Sequence, residues 1–271
     1  MGHAHSPMSR LAPAIDINPR SRPHQLDRRL LFSADHWPRL RFLELANVRV
    51  GRVLDDGADA HPFICFLSKR NHLRALHFSG DFTLSSPHLA RLPRNFLQGL
   101  RYFSGSIDHL SLLPLAKNLL SMEIPNPLIL REVTPLTISH ALQTAPAVQS
   151  LKVSFVLQSG YDGIGILRSI ATAGAHIKHL DLTLPHKPSF YLVHTVAQPS
   201  KLGITLFSRT IRSLSTLRTL HLTVVKVPGD ESMADGAVRI ARSNPGTEQF
   251  SLRYIPRNCD QLGPHLPRTT G

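Results

Sequence analysis

Apolar and polar residues alternate along this chain in one recurring phrase. Leu40-Arg-Phe-Leu43-Glu-Leu45, Leu73-Arg-Ala-Leu76-His-Phe78, Ile177-Lys-His-Leu180-Asp-Leu182 and Leu217-Arg-Thr-Leu220-His-Leu222 each place apolar residues first, fourth and sixth. Alternation over the last three places describes a short strand with one buried and one wetted face. Looser copies start at Leu100, Leu119, Val148 and Thr247. The starts at 40, 73, 100, 119, 148, 177, 217 and 247 are 33, 27, 19, 29, 29, 40 and 30 residues apart, a mean of about 30. A single match means little in an apolar chain. The sustained interval makes it a repeat.

Most gaps hold one helix-sized segment with its own start or stop signals. Thr134-Pro135 precedes Ile138, Ala141, Leu142 and Ala145 at helical spacing. Asp162 precedes Ile164, Leu167, Ile170 and Ala171, and Gly174 ends that stripe. Leu206, Phe207, Ile211 and Leu214 form another, and Met233, Ala237, Val238 and Ala241 form the last, stopped by Asn244-Pro245-Gly246. A unit of strand, turn, helix and turn cannot hide its apolar face alone, so neighbours must stack. The expected fold class is α/β: an irregular leucine-rich-repeat solenoid of about 8 repeats, with a curved parallel sheet inside and helices outside. The arc should be uneven. The ninth place, where an Asn or Cys usually ties each turn to the next, holds Val48, Asp81, Asp108, Pro127, Val156, Pro185, Val225 and Ile255. The shortest step leaves room only for a turn, and Gly105 interrupts its strand. The longest step contains an extra segment, 189–196, that reads as a strand or a helix.

Residues 1–28 mix Pro, His and Arg with few apolar residues and are expected to be a disordered lead. Residues 29–39, with Leu30, Leu31, Phe32 and Trp37, are expected to form a short helix capping the first repeat. The repeats make one domain over 29–256, and 257–271 is expected to be a flexible tail.

The chain has 271 residues, with 31 basic and 18 acidic side chains and a net charge of +13. Such a charge attracts nucleic acid, anionic membrane or acidic protein. It also arises when a solenoid is simply solvated by arginine, which the scarcity of aromatics and of Lys/Arg blocks favours. The two cysteines, Cys65 and Cys259, lie far apart, and Cys65 sits in the apolar run 63–67, which reads as packing. No apolar leader, no membrane-length apolar run and no Asn-x-Ser/Thr sequon occur, so an intracellular chain (cytoplasm or nucleus) and a monomer are expected.

Strand alternation assigns a surface. Fifth-place Glu44, His77, Ser104, Glu123, Lys152, Asp181, His221 and Ser251 should point onto the concave sheet, beside third-place Phe42, Ala75, Tyr102, Ser121, Ser150, His179, Thr219 and Gln249. Second-place Arg41, Arg74, Arg101, Lys178 and Arg218 form a basic rim suited to carboxylate or phosphate. Phe42 and Tyr102 are the candidate anchors. His179, Asp181 and His221 are the one set able to make a metal site for an enzyme, but they lie on an open face. No nucleophile elbow, phosphate-binding loop or zinc-spaced cysteine pair occurs. A non-enzymatic binding module without cofactor or metal is therefore expected.

The Leu-Arg-x-Leu-x-Leu strands and variable helices over about residues 37–256 resemble the leucine-rich-repeat regions of fungal F-box proteins. The resemblance implies a substrate receptor of a cullin-type ubiquitin ligase, in which the repeats hold a target and an F-box holds the Skp1 adaptor. Residues 1–36 carry no Leu-Pro-x-Glu start and are polar, so a truncated member or one without adaptor binding is expected.

Overall fold

The carbonyl of each second-place residue accepts two N–H groups from the following repeat. Arg41, Arg74, Arg101, Leu120, Gln149, Lys178 and Arg218 all do this, at 2.7–3.0 Å. The donors are the next second- and third-place amides, so each repeat is locked to its neighbour where its strand begins. In this computed structural model the described residues are 37, 39–46, 62–70, 72–79, 98–106, 117–129, 135–156, 163–184, 209–225 and 232–255.

The repeated phrases form strands β1 (Phe42–Ala46), β2 (Ala75–Ser79), β3 (Tyr102–Ser104), β4 (Ser121–Ile129), β5 (Ser150–Val156), β6 (His179–Leu184), β7 (Thr219–Val225) and β8 (Gln249–Ile255). They make one open sheet of 8 strands in sequence order, every adjacent pair parallel. Third place pairs with third place at every junction, from Phe42↔Ala75 to Thr219↔Gln249. Four described helices, α1 (Pro62–Ser68), α2 (Pro135–Thr144), α3 (Gly163–Ala173) and α4 (Met233–Ser243), lie in the gaps between strands. This is the expected leucine-rich-repeat solenoid.

The core follows from the phrase. First-place Leu73, Leu100, Leu119, Val148, Ile177 and Leu217, fourth-place Leu76, Phe103, Met122, Leu151, Leu180 and Leu220, and the sixth-place residues beside them are buried in one continuous cluster. Leu142, Leu167, Ile170 and Ile240 close it from the helices. Phe78 and Phe103 meet edge to face, with ring centres 6.0 Å apart. Each fully buried aliphatic side chain contributes about 1.5–3 kcal/mol of transfer free energy.

Each strand is approached through a fixed turn. The first-place N–H donates to the carbonyl three residues earlier at Trp37, Arg70, Ala145, Gly174, Leu214 and Asn244, at 2.9–3.2 Å. Trp37 makes this turn with left-handed backbone (φ 58°), which costs a residue with a side chain about 1–2 kcal/mol. Side chains add ties at the same level. Asn118 donates to the Gln98 carbonyl at 2.8 Å, and Thr216 donates to the carbonyls of Ala175 and Ile177 at 2.7 and 2.9 Å.

Several sequence expectations need correction. α4 buries Gly236 and Ile240, with Asn244 one turn further on, whereas Met233 and Val238 are 49% and 47% exposed. The caps set this phase. Ser232 Oγ accepts from the Asp235 amide at 3.1 Å, and Asn244 Nδ2 donates to the Ile240 carbonyl at 2.9 Å. Cys65 is exposed, and its neighbours Phe66 and Leu67 fill the core. In β4 the register jumps from Ile124↔Val153 to Leu128↔Phe155 around Pro125 and Pro127, which have no N–H to donate. The lead, most of the proposed cap, residues 206–208, the segment 189–196 and the tail lie outside the described residues.

Two outcomes test this packing. Gly174→Ala would push a Cβ into Ile177 Cδ1 and to 2.8 Å from the Ile170 carbonyl oxygen. It should lower stability by about 1–3 kcal/mol, read as an earlier urea midpoint. Leu220→Ala, at a fully buried site, should cost about 2–5 kcal/mol by the same measurement.

Candidate functional site

Register carries the fifth-place residues into one line across the sheet: Glu44, His77, Ser104, Glu123, Lys152, Asp181, His221 and Ser251. Adjacent members stand about 4.8 Å apart. Acid, base and hydroxyl alternate along the line, and several neighbours pair. His77 Nδ1 lies 3.8 Å from Glu44 Oε1, Lys152 Nζ lies 2.7 Å from Glu123 Oε1, and His221 Nδ1 lies 2.6 Å from Ser251 Oγ.

The centre of the line is a small network that sequence alone does not show. Tyr102 donates its phenol to Glu123 Oε2 at 2.9 Å, diagonally from third place on β3 to fifth place on β4. Burial, and then the Glu123 carboxylate that accepts this bond, push the Tyr102 hydroxyl up to about 12. Burial alone would raise Glu123, but the bonds from Lys152 and Tyr102 outweigh it and hold this carboxyl below its ordinary value. Lys152 is raised by its bond to Glu123, against partial burial and with help from the Glu123 and Asp181 charges. The exposed ammonium limits the pair to about 0.2–1 kcal/mol.

Ser104 departs from expectation. It keeps its place in the line but is 0% exposed, and its hydroxyl acts on the Tyr102 phenol, lowering it against the larger upward effects of burial and Glu123.

The rim is exposed at Arg41, Arg74, Arg101, Lys178 and Arg218 but is broken by Leu120 and Gln149 into two groups. Arg218 pairs with Glu248 at 3.2 Å. Arg74 Nη1 donates to the neutral Gly99 carbonyl at 3.1 Å. Arg41 and Arg101 have no acidic partner among the described residues. The remaining anchor, Phe42, is 38% exposed on the outermost strand.

The proposed metal set does not come together. Asp181 faces His221 in register, but His221 turns Nδ1 to Ser251, and His179 lies level with Thr219. Among the described residues no three His, Cys, Asp or Glu side chains are placed to hold a metal ion. The void behind β4 and β5 is lined only by apolar side chains, including Met122, Leu142 and Phe155, and belongs to the core. No helix among the described residues is long and apolar enough to cross a membrane.

No protein-family model matches the chain, and no curated protein matches it. Among solved structures it is similar to the leucine-rich repeat-containing protein LegL7 from Legionella pneumophila, at 14% identity over 74% of this chain and 71% of that one, with a TM-score of 0.46. The class assignment rests on the sheet and its register.

Two pH dependences follow. A raised hydroxyl stabilises the fold fully below the ordinary tyrosine value and loses that contribution as pH rises through the folded value. The tyrosinate absorbance lost in Tyr102→Phe should therefore titrate near pH 12 rather than 10. The depressed Glu123 acts in the opposite sense, stabilising above the ordinary carboxylate value and failing as pH falls through its lowered one. Glu123→Gln should flatten the acid limb of the stability profile, measured by denaturant midpoints from neutral pH down to acid.

Proposed function

We propose that this chain is a non-enzymatic protein-interaction module that holds its partner on the concave sheet. The observation that carries the reading is the in-register line from Glu44 to Ser251, which sets alternating charge at fixed spacing along an open surface. Such a surface selects for register and sign, because like charges brought face to face cost several kcal/mol, on the order of 1–3 or more. In the finer form of the proposal, the repeats take the target of a cullin-type ubiquitin ligase.

Affinity capture compares the native chain with one carrying Glu44→Lys, Lys152→Glu and Asp181→Lys. Partners retained by the native chain should be lost by the reversed one, and retention by both would sink the reading. Skp1 and a cullin among the captured proteins would support the finer form. The second reading, a basic surface for nucleic acid or anionic membrane, is favoured by the unpaired Arg41 and Arg101. It requires binding of single-stranded nucleic acid or anionic vesicles that falls steeply with salt and survives the reversed concave line, whereas docking on that line is lost with it.

A further inference from the structure

The first three strands carry a feature that the concave line does not explain. Phe42, Ala75 and Tyr102 are level with one another on β1, β2 and β3. A methyl group thus stands between two aromatic side chains that are roughly 9.6 Å apart at their Cα atoms, twice the strand spacing. Ala75 is partly exposed, Phe42 is exposed and Tyr102 is half-buried, so the gap opens to solvent. A ring or long aliphatic chain in contact with both walls needs roughly 7–8 Å between them. Tyr102 is held in place by its bond to Glu123, and the Glu44–His77 pair closes the far end.

At the near end stand Arg41, Arg74 and Arg101, exposed at the starts of the same three strands. Their charges are uncompensated: Arg74 gives a bond to a neutral carbonyl, and Arg41 and Arg101 have no carboxylate among the described residues. The acids of the concave face are already engaged, Glu44 with His77 and Glu123 with Tyr102 and Lys152. The corner therefore pairs an apolar slot with three guanidiniums that have no carboxylate partner among the described residues.

We propose that this corner docks an acidic peptide, which seats one aromatic or long aliphatic side chain over Ala75 between Phe42 and Tyr102 and sets its carboxylates against Arg41, Arg74 and Arg101. Guanidinium forks match carboxylates in a bidentate geometry, and aromatic anchors beside arginine are the usual centres of binding energy. A nucleic-acid strand is the poorer guest, because its continuous phosphates would run against Glu44 and Glu123. The proposal rests on the concave-face reading and locates its specificity.

The test selects from a phage-displayed random dodecapeptide library on the whole chain, then measures a synthetic representative by fluorescence anisotropy. The enriched peptides should carry Asp or Glu beside a large apolar residue. Affinity should fall at least tenfold with Ala75→Trp, which fills the slot without touching charge, and similarly with Arg41→Glu or Arg101→Glu. Arg168→Glu, exposed on α3 and outside the rim, should leave it unchanged. Unaltered circular dichroism and melting midpoint show that Ala75→Trp folds, and Ala75→Phe serves as the second plug. No enrichment, basic peptides, or indifference to both plugs would overturn the proposal. Peptides lost with Lys152→Glu but not with Ala75→Trp would overturn the slot and leave the concave-face reading standing, whereas indifference to both would remove both. A single-stranded DNA oligomer that binds the native and Ala75→Trp chains equally, and is lost with Arg41→Glu, would also overturn it.

Discussion

The doubly accepting carbonyl at the start of each strand is the constraint from which the other features follow. It uses only main-chain atoms, repeats at all seven junctions, and fixes where each repeat begins relative to the last. A slip of one residue would turn the polar fifth-place side chains into the core and the leucines into water. The penalty for that exchange, summed over fourth and sixth places, far exceeds the strength of any single bond in the ladder. Ladder and core therefore specify the same register, and a chain without ninth-place asparagines still stacks in order.

This explains what could be read from the sequence and what could not. Strand positions were legible because side-chain alternation reports directly on burial, and α2 and α3 because their stripes coincide with Thr134-Pro135 and Gly174 signals. The ladder was illegible, since main-chain bonds leave no mark on residue identity. The turn residues three places before each first-place residue were missed for a related reason. Arg70, Ala145, Gly174, Leu214 and Asn244 are all buried but share no chemistry, because the site is selected for its carbonyl. The phase of α4 was misread because Gly236 and Asn244, which face inward, score as neutral or polar, while Met233 and Val238 score as core. Ser104 keeps the place that alternation assigns it but is buried, and nothing in the phrase around it reports that burial.

Charge is arranged on the molecule in two different manners. Along the concave line each ionised group has a counterpart within one strand spacing, so the line has direction and pattern but little net field. Along the rim, basic groups stand side by side, and among the described residues only Arg218 has an acidic partner. The excess of positive charge is thus partly a local property of one edge. A compensated sheet thus lies beside an edge whose field is positive.

The corner with the least regular spacing is also the one with unsatisfied chemistry. The steps of 29 residues on either side of β5 are equal, and that part of the sheet is tightly paired and compensated. From the amino-terminal end to β4 the steps shorten from 33 to 27 to 19, β3 is three residues long, and there the buried Ser104, the exposed Phe42 and the arginines without an acidic partner among the described residues gather. Uniform repeats set each fifth-place side chain beside a partner on the next strand, so along that stretch the surface carries charge order rather than a gap. The irregularity that shortens β3 thus coincides with the exposed aromatic and basic groups of this corner, and the regular array behind it holds their spacing.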